Sequence, residues 1–323
     1  MQTISRRTAV KGSIAAAAAL TLGRAEMGFA QEPIRVGSKD FAESIILGEM
    51  YALLLEDAGL SVERKLNLGG TVIAHESLLA GELDIYPEYT GTGLLVVLGS
   101  TVEAALEGGD GTPAAEASPV SDTAGAVYAY VRDQYKEQFD LVWLEPTPMS
   151  NSQALAVQRS FAEEHGLTTI SDLVALAGDV DLVFSAPVDF EEREDGLLGL
   201  RRVYGDFEAT VNGVAPGIKY QALMDGDANV VLAFSTDAEI AINDLVVLTD
   251  DLELWPPYNV SPVVRQAAID ANPSIPDILN PLAPIITNEV MSQLNGAVIG
   301  EDGQEPETVA RDFMIEQGLI AAG

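Results

Sequence analysis

The side chains best suited to chemistry lie in short polar segments that follow apolar stretches of the chain. Ser38 and Lys39 form the first segment, and the others are residues 69–71 (Gly-Gly-Thr), 86–92 (Tyr-Pro-Glu-Tyr-Thr-Gly-Thr) and 235–237 (Ser-Thr-Asp). Hydroxyls, ring faces and a few charges bind small molecules, whereas a hydrolase needs a nucleophile with a base beside it. The chain has two histidines, and the motifs of serine hydrolases, P-loop proteins and zinc proteases do not occur in it. These segments therefore predict a binding site and not an enzyme.

An alternation of strand-like and helix-like patterns positions the polar segments. Apolar stretches at 33–37, 61–66 and 83–85 predict strands, and residues 41–58 predict a helix with Ile45, Met50 and Leu54 on one face. The strand pattern starts again near residue 141, after a Gly-, Pro- and acid-rich segment at 100–122 that predicts a long surface loop. Repeated strand–helix–strand units indicate an α/β fold with mostly parallel sheets, in which ligands lie beyond the carboxyl ends of the strands.

Length and composition exclude several classes of protein. The 323 residues include 50 acidic and 17 basic ones, which gives a formal net charge of −33, and 47% of them are hydrophobic. That apolar content suffices for two folded domains, and so acidic a chain repels nucleic acid and anionic lipid. The absence of cysteine excludes disulfides, thiol catalysis, cysteine-bound metals and a lipoprotein anchor. We expect neither a cofactor nor a metal.

The first thirty residues differ in composition from the rest of the chain. Arg6 and Arg7 precede an apolar run at 14–20 and a small-residue exit at 28–30, which is typical of a cleaved export signal of the twin-arginine type. The apolar run is too short to span a bilayer. Ala9 stands at a position where such signals favour a larger apolar residue, so ordinary secretion stays open as an alternative. Removal of residues 1–30 takes away four basic residues and one acid and leaves a charge of −36, from which we expect a salty environment that screens self-repulsion.

Three stretches of sequence carry a resemblance to a known family. They are residues 37–41 (Gly-Ser-Lys-Asp-Phe), 63–71 (Glu-Arg-Lys-Leu-Asn-Leu-Gly-Gly-Thr) and 84–92 (Asp-Ile-Tyr-Pro-Glu-Tyr-Thr-Gly-Thr). The chain resembles the substrate-binding proteins of osmoprotectant ABC transporters, which bind glycine betaine, carnitine or choline. The likeness continues through residue 265 and so covers nearly all of the chain beyond the export signal.

The resemblance implies a two-lobed, hinged periplasmic-binding-protein fold of the type II kind, with each lobe a mostly parallel sheet flanked by helices. The first lobe is expected to contain residues 31–145 and 240–323, and the second to contain residues 146–239. The implied function is that of a periplasmic or otherwise extracytoplasmic component of an ABC importer. It captures a small zwitterionic osmolyte between the lobes and delivers it to a membrane permease, without a membrane anchor of its own and without binding nucleic acid.

The resemblance also implies which residues bind the ligand. A carboxylate tail is held by cations and hydrogen-bond donors, and a trimethylammonium head by aromatic faces. Carried over by position, the carboxylate side consists of Lys39, Thr92 and Arg193, and the aromatic side retains Tyr89 and Tyr220. Two further aromatic positions of the family correspond to amides in this chain, Gln153 and Asn243.

The two amides leave the choice of ligand open. A primary or secondary ammonium can donate hydrogen bonds to an amide whereas a trimethylammonium cannot, so the alternative ligand is an amino acid or a less methylated osmolyte. In another alternative Tyr86, Tyr258 or Trp255 rebuilds the aromatic cage. Three other functions are alternatives. An exported hydrolase is disfavoured because the chain offers no convincing general base, and a ligand-sensing regulator is disfavoured because the negative charge opposes DNA binding. A binding domain that serves a membrane sensor stays open.

Overall fold

The computed structural model describes residues 32–108, 122–299 and 303–322, so the predicted export signal lies outside the described residues. The described residues form ten strands: β1 (Ile34–Gly37), β2 (Val62–Lys65), β3 (Ile85–Tyr89), β4 (Leu141–Trp143), β5 (Gln153–Gln158), β6 (Leu182–Ala186), β7 (Ala209–Gly213), β8 (Val230–Phe234), β9 (Leu245–Leu248) and β10 (Val260–Arg265). These strands make two sheets of five strands each.

Helices lie between most of the strands and make up the C-terminal region. They are α1 (Ala42–Asp57), α2 (Thr71–Leu79), α3 (Thr90–Thr92), α4 (Val102–Gly108), α5 (Asp122–Phe139), α6 (Arg159–His165), α7 (Ile170–Leu176), α8 (Leu197–Tyr204), α9 (Lys219–Met224), α10 (Glu239–Ile242), α11 (Gln266–Ala271), α12 (Ile275–Leu279), α13 (Asn288–Ile299) and α14 (Pro306–Glu316). A π-helical turn at Gly93–Val97 follows α3, and 3₁₀ turns occur at Phe190–Glu192, Pro216–Ile218 and Asn280–Ile285. No described helix has the length and apolar character needed to cross a membrane.

The first sheet has the order β2-β1-β3-β10-β4. Strand β1 pairs in parallel with β2 and β3, while β10 is antiparallel to both β3 and β4. The predicted helix at 41–58 is α1, and it is buried on most of its surface because the C-terminal helices α12, α13 and α14 pack on it together with the sheet. The start of the chain and its end therefore share one hydrophobic core.

The second sheet repeats this plan with the order β7-β6-β8-β5-β9. Strand β6 pairs in parallel with β7 and β8, and β5 is antiparallel to β8 and β9. A separate core of apolar side chains, among them Phe184 and Phe190, lies between this sheet and its helices.

Both sheets are mixed, which refines the prediction of mostly parallel sheets. One strand in each sheet runs antiparallel to the other four: β10 in the first sheet and β5 in the second. Each of these strands is the one that follows a crossing of the chain from the other sheet. The two crossing segments touch each other where Ser150 and Asn259 form an isolated antiparallel bridge. Strand β9 at Leu245–Leu248 pairs with β5 and so belongs to the second sheet, and the chain returns to the first sheet after it.

The segment predicted as a surface loop at 100–122 begins instead with α4. The physical reason is local packing: Ala105 is fully buried in a third apolar cluster that includes Val127 of α5. At the start of α4, the Thr101 hydroxyl accepts a hydrogen bond from the Ala104 N–H at 3.2 Å. The remainder of the predicted loop, residues 109–121, lies outside the described residues.

Candidate functional site

Loops from both sheets enclose a cavity of about 660 Å³. From the first sheet come the segment after β1, the Gly69–Ile73 turn that opens α2, and the residues after β3; from the second come the loops after β6, β7 and β8. Glycine is required in the turn because Gly69 adopts φ 137°, a conformation that other residues rarely take. A volume of this size is ordinary for a small-molecule site.

Five of the seven predicted ligand-binding residues line this cavity: Lys39, Tyr89, Thr92, Gln153 and Arg193. They come from opposite sides of it, Lys39 from the loop after β1 and Arg193 from the loop that follows β6. Burial has the largest effect on Lys39 and lowers the pKa of its ammonium, and the nearby charge of Arg193 acts in the same direction. The two cations are therefore close enough to act on one ligand.

Each of the two cations already has an acidic partner. The Lys39 ammonium donates to Glu88 Oε1 at 2.5 Å and to Thr71 Oγ1 at 3.0 Å. The Arg193 guanidinium binds Asp195 through Nε at 2.6 Å and Nη2 at 2.7 Å, and it contacts Asp189 at 3.2 Å. Burial opposes the charge of Arg193, but Asp195 outweighs it and raises the pKa of the guanidinium. The site thus holds its cations as buried ion pairs.

Asp195, the bidentate partner of Arg193, also fixes the side chain of Gln153. Its Nε2 donates to Asp195 Oδ2 at 2.6 Å and lies 3.3 Å from the Tyr258 hydroxyl. Because a carboxylate paired with arginine accepts hydrogen bonds, the amide nitrogen faces Asp195 and the amide oxygen faces away. That oxygen is buried and has no hydrogen-bond partner among the described residues.

Aromatic rings form part of the cavity wall. Phe41 and Tyr89 lie side by side, with ring centroids 6.0 Å apart, and Phe234 and Tyr258 contribute two more rings. Tyr258 fits closely over the chain at Gly91, where an added Cβ would lie 2.7 Å from three of its ring carbons. The glycine of the Tyr-Thr-Gly-Thr motif therefore makes room for this ring. Of the three residues considered for rebuilding the cage, Tyr258 lines the cavity whereas Tyr86 and Trp255 do not.

The other two predicted ligand-binding residues, Tyr220 and Asn243, are not among the residues that line this cavity. The Tyr220 side chain is buried, and its hydroxyl donates to Asp237 Oδ2 at 2.6 Å. Asn243 ends α10 and turns back onto its own helix, where its Nδ2 donates to the Glu239 carbonyl at 2.9 Å. Glu239, one helical turn earlier, lines the cavity instead.

Sequence reasoning also missed Glu43, which is a hub of hydrogen bonds in the cavity wall. Its carboxylate accepts from the Tyr89 hydroxyl and the Asn151 amide, both at 2.7 Å. It also accepts from the Thr236 hydroxyl at 2.6 Å and the Asn295 amide at 3.1 Å. Burial raises the pKa of Glu43, although all four hydrogen bonds oppose this. A carboxylate in the first turn of a largely apolar helix was the only signal in the sequence.

The described residues contain no group of three or more His, Asp or Glu side chains placed to hold a metal ion. The cavity wall instead combines ion pairs, ring faces and amides. This arrangement can hold a small charged molecule from two sides.

Comparison with known proteins identifies this arrangement. The family model "substrate binding domain of ABC-type glycine betaine transport system" matches residues 32–316. A glycine-betaine-binding protein of Pseudomonas aeruginosa is 32% identical over 92% of this chain and 92% of its own length. A protein of Helicobacter pylori named ergothioneine transport permease/ergothioneine binding protein EgtU is 30% identical over 90% of this chain, which spans 48% of that longer protein. Among solved structures, that of a glycine betaine/carnitine/choline ABC transporter matches with a TM-score of 0.63 and 28% identity, covering 88% of this chain and 99% of the other. These matches confirm the predicted two-lobed α/β fold.

Proposed function

The chain belongs to the family of substrate-binding domains of ABC-type glycine betaine transport systems, and on that premise we propose that it captures a small zwitterion with a quaternary ammonium head. Members of this family are solute-binding components outside the cytoplasm and not enzymes, and their partner is a membrane permease. The observation that carries the proposal is a cavity lined by cations that come from both sheets and by four aromatic rings.

The carboxylate of the ligand is assigned to the side of Lys39, Thr92 and Arg193. Arg193 keeps Asp195 as its bidentate partner, while its longer contact to the more exposed Asp189 is the one that a ligand carboxylate replaces. Arginine carries five N–H donors, so it can hold Asp195 through two of its nitrogens and still donate to a ligand carboxylate.

The ammonium of the ligand is assigned to the wall formed by Phe41 and Tyr89, with Tyr258 nearby. A quaternary ammonium over an aromatic face gains about 0.5–2 kcal/mol per ring. The rings of Phe41 and Tyr89 are tilted by 37° to each other, and the Lys39 ammonium lies 5.2 Å from the centre of the Tyr89 ring, so Phe41 offers the face for the ligand.

A second candidate ligand is a zwitterion that carries N–H groups. The observation in its favour is Gln153, which lines the cavity and whose buried amide oxygen has no hydrogen-bond partner among the described residues. A trimethylammonium cannot donate a hydrogen bond to this oxygen, whereas a primary or secondary ammonium or a ring N–H can. A relative of this chain from Helicobacter pylori is named for ergothioneine and not for glycine betaine.

The two lobes are proposed to be residues 32–145 with the chain beyond residue 260, and residues 153–248. The crossings at 146–152 and 249–259 then form the hinge, and ligand binding closes the lobes around the cavity. Residues 1–30 are proposed to be a twin-arginine export signal.

Isothermal titration calorimetry on the chain without residues 1–30 tests the ligand assignment. Glycine betaine and carnitine are expected to bind more tightly than choline, because choline lacks the carboxylate that Arg193 receives. Arg193→Lys keeps the charge but loses the bidentate geometry, so it should weaken betaine binding, whereas Arg202→Lys on the exposed face of α8 should not. Equal binding of choline and glycine betaine contradicts the carboxylate side. Tighter binding of an amino acid than of any betaine establishes the second candidate.

A further inference from the structure

Lys219 lines the cavity but has no part in the proposed function. It is the first residue of α9, directly after the 3₁₀ turn at Pro216–Ile218, and its carbonyl accepts a hydrogen bond from the Ser185 hydroxyl at 2.7 Å. Its side chain is only 5% exposed. The fold therefore holds this lysine in one place at the cavity wall.

The Lys219 ammonium lies in surroundings suited to a cation. It is 4.3 Å from the centre of the Phe234 ring, 5.0 Å from that of Tyr220 and 2.8 Å from Asp237 Oδ2. The same oxygen of Asp237 accepts from the Tyr220 hydroxyl at 2.6 Å and the Phe234 N–H at 3.0 Å, which fixes the carboxylate between the two aromatic residues. Aromatic faces beside an acid are the chemistry by which proteins bind quaternary ammonium groups.

We propose that Lys219 determines ligand specificity by occupying, from within the chain, a cation subsite formed by Phe234, Tyr220 and Asp237. This inference rests on the proposed function, because it concerns the same cavity. A cation tethered to the backbone competes at a high effective concentration with one that arrives from solution. It also explains the position of Tyr220, whose ring lies behind the ammonium while Lys219 itself lines the cavity.

Two consequences follow for the ligand. The ligand's own cation is directed to Phe41, since Lys219 takes the aromatic subsite of the second sheet and the Lys39 ammonium lies 5.2 Å from the centre of the Tyr89 ring. Ligands that depend on a second cation-binding surface are excluded, and a ligand that brings only a quaternary ammonium should bind weakly. Loss of the Lys219 charge should open a subsite with two carboxylates, because Glu239 also lines the cavity and interacts with Lys219.

The test uses tetramethylammonium chloride, a quaternary ammonium without any other group, in calorimetric titrations of the chain without residues 1–30. Wild type should bind it weakly or not at all, and Lys219→Met should bind it at least tenfold more tightly. Lys219→Arg keeps a cation in place and should behave like wild type. Lys219→Gln provides a second neutral variant if Lys219→Met melts at a much lower temperature than wild type.

Two controls separate the subsite from a general effect of charge. Lys136→Met removes an exposed lysine of α5 and should leave tetramethylammonium binding unchanged. Adding Phe234→Leu to Lys219→Met should abolish the gain, because one ring face is lost. The inference is wrong if the neutral variants bind no better than wild type or Lys136→Met, or if Lys219→Arg gains as much as they do. Failure of the proposed function has a different signature, since wild type then binds none of the betaines whatever the Lys219 variants do.

Discussion

Glu43 joins four elements of the fold, and its replacement is a direct test of how the cavity is held together. Its hydrogen-bond donors are Tyr89 of β3, Asn151 in the first crossing, Thr236 after β8 and Asn295 of α13. Only 3% of its surface is exposed, so water cannot replace these contacts. Glu43→Ala removes the acceptor from all four donors at once.

The expected cost follows from the nature of the donors. A buried hydrogen bond contributes about 1 kcal/mol net, and a donor left without a partner costs about 1–3 kcal/mol. The two hydroxyls can rotate toward other acceptors, and Asn295 keeps its 3.2 Å contact with the Thr236 carbonyl. We therefore expect Glu43→Ala to lower the free energy of unfolding by about 3–5 kcal/mol. At about 2–3 °C per kcal/mol for a chain of this size, the melting temperature should fall by roughly 6–15 °C.

The matched control is Glu76→Ala, which removes an exposed acid from α2. Urea unfolding followed by circular dichroism gives both values, and an exposed acid of this kind should change stability by no more than about 0.5 kcal/mol. Similar losses for the two variants would refute the reasoning. So would a Glu43→Ala protein that unfolds within about 1 kcal/mol of wild type.

The pKa of Glu43 adds a pH dependence to this test. Burial raises that pKa above its usual value of 4.5, so the folded protein holds the proton more tightly than the unfolded chain does. The corresponding stability is complete below about pH 4.5 and is lost as the pH rises through the pKa in the folded state. Glu43→Gln cannot ionise, so wild type should lose stability relative to this variant as the pH rises. Parallel stability curves for the two proteins between pH 4.5 and 8 would contradict the raised pKa.

Three further predictions address other parts of the site. Lys39→Met leaves Glu88 buried without its cation and should cost about 3–5 kcal/mol in urea unfolding. Lys39→Met with Glu88→Gln should recover most of the loss, because the amide removes the buried charge and keeps a hydrogen-bonding group beside the Tyr86 hydroxyl and the Tyr89 N–H; no recovery would show that the ion pair is not the cause. Gly91→Ala should displace the Tyr258 ring and lower the free energy of unfolding by about 1–3 kcal/mol. Its control is Gly125→Ala on α5, where an added Cβ meets nothing within 4 Å, and equal effects of the two substitutions would contradict the close fit at Gly91. The melting temperature should rise between 0.1 and 1 M KCl as the screening length falls from about 10 to 3 Å, and a melting temperature independent of salt would contradict self-repulsion as a limit on stability.

Local patterns in the sequence were sufficient to predict the helices and strands but not how the strands pair into sheets. The apolar face of α1 and the short apolar runs of β1 and β2 predict helix and strands to within one or two residues. The antiparallel insertion of β10 between β3 and β4 joins residues more than a hundred positions apart. No local pattern encodes that pairing, nor the pairing of β9 with β5 in the second sheet.

Residues of a rare type could be assigned to the site from the sequence, whereas residues of a common type could not. Lys39 and Arg193 were implied by the family resemblance, and the scarcity of positive charge, with only 17 basic residues in the chain, supported the choice. Glu43 and Asp237 are two of 50 acids, and nothing in the sequence distinguishes a buried acid from one on the surface. Asn243 was carried over by counting residues past the Ser-Thr-Asp segment, whereas Glu239, one helical turn earlier, is the residue that lines the cavity.

The paired charges in the cavity wall limit the kind of ligand that the cavity accepts. The cations that line it are each paired with an acid, Lys39 with Glu88, Arg193 with Asp195 and Lys219 with Asp237. A buried charge is costly unless it is compensated, so a ligand that brings a net charge into these pairs must leave one group without a partner. A zwitterion brings equal and opposite charges and leaves the balance intact. In a chain with a net charge of −33, it is this local pairing, and not the overall field, that allows a carboxylate to enter the cavity.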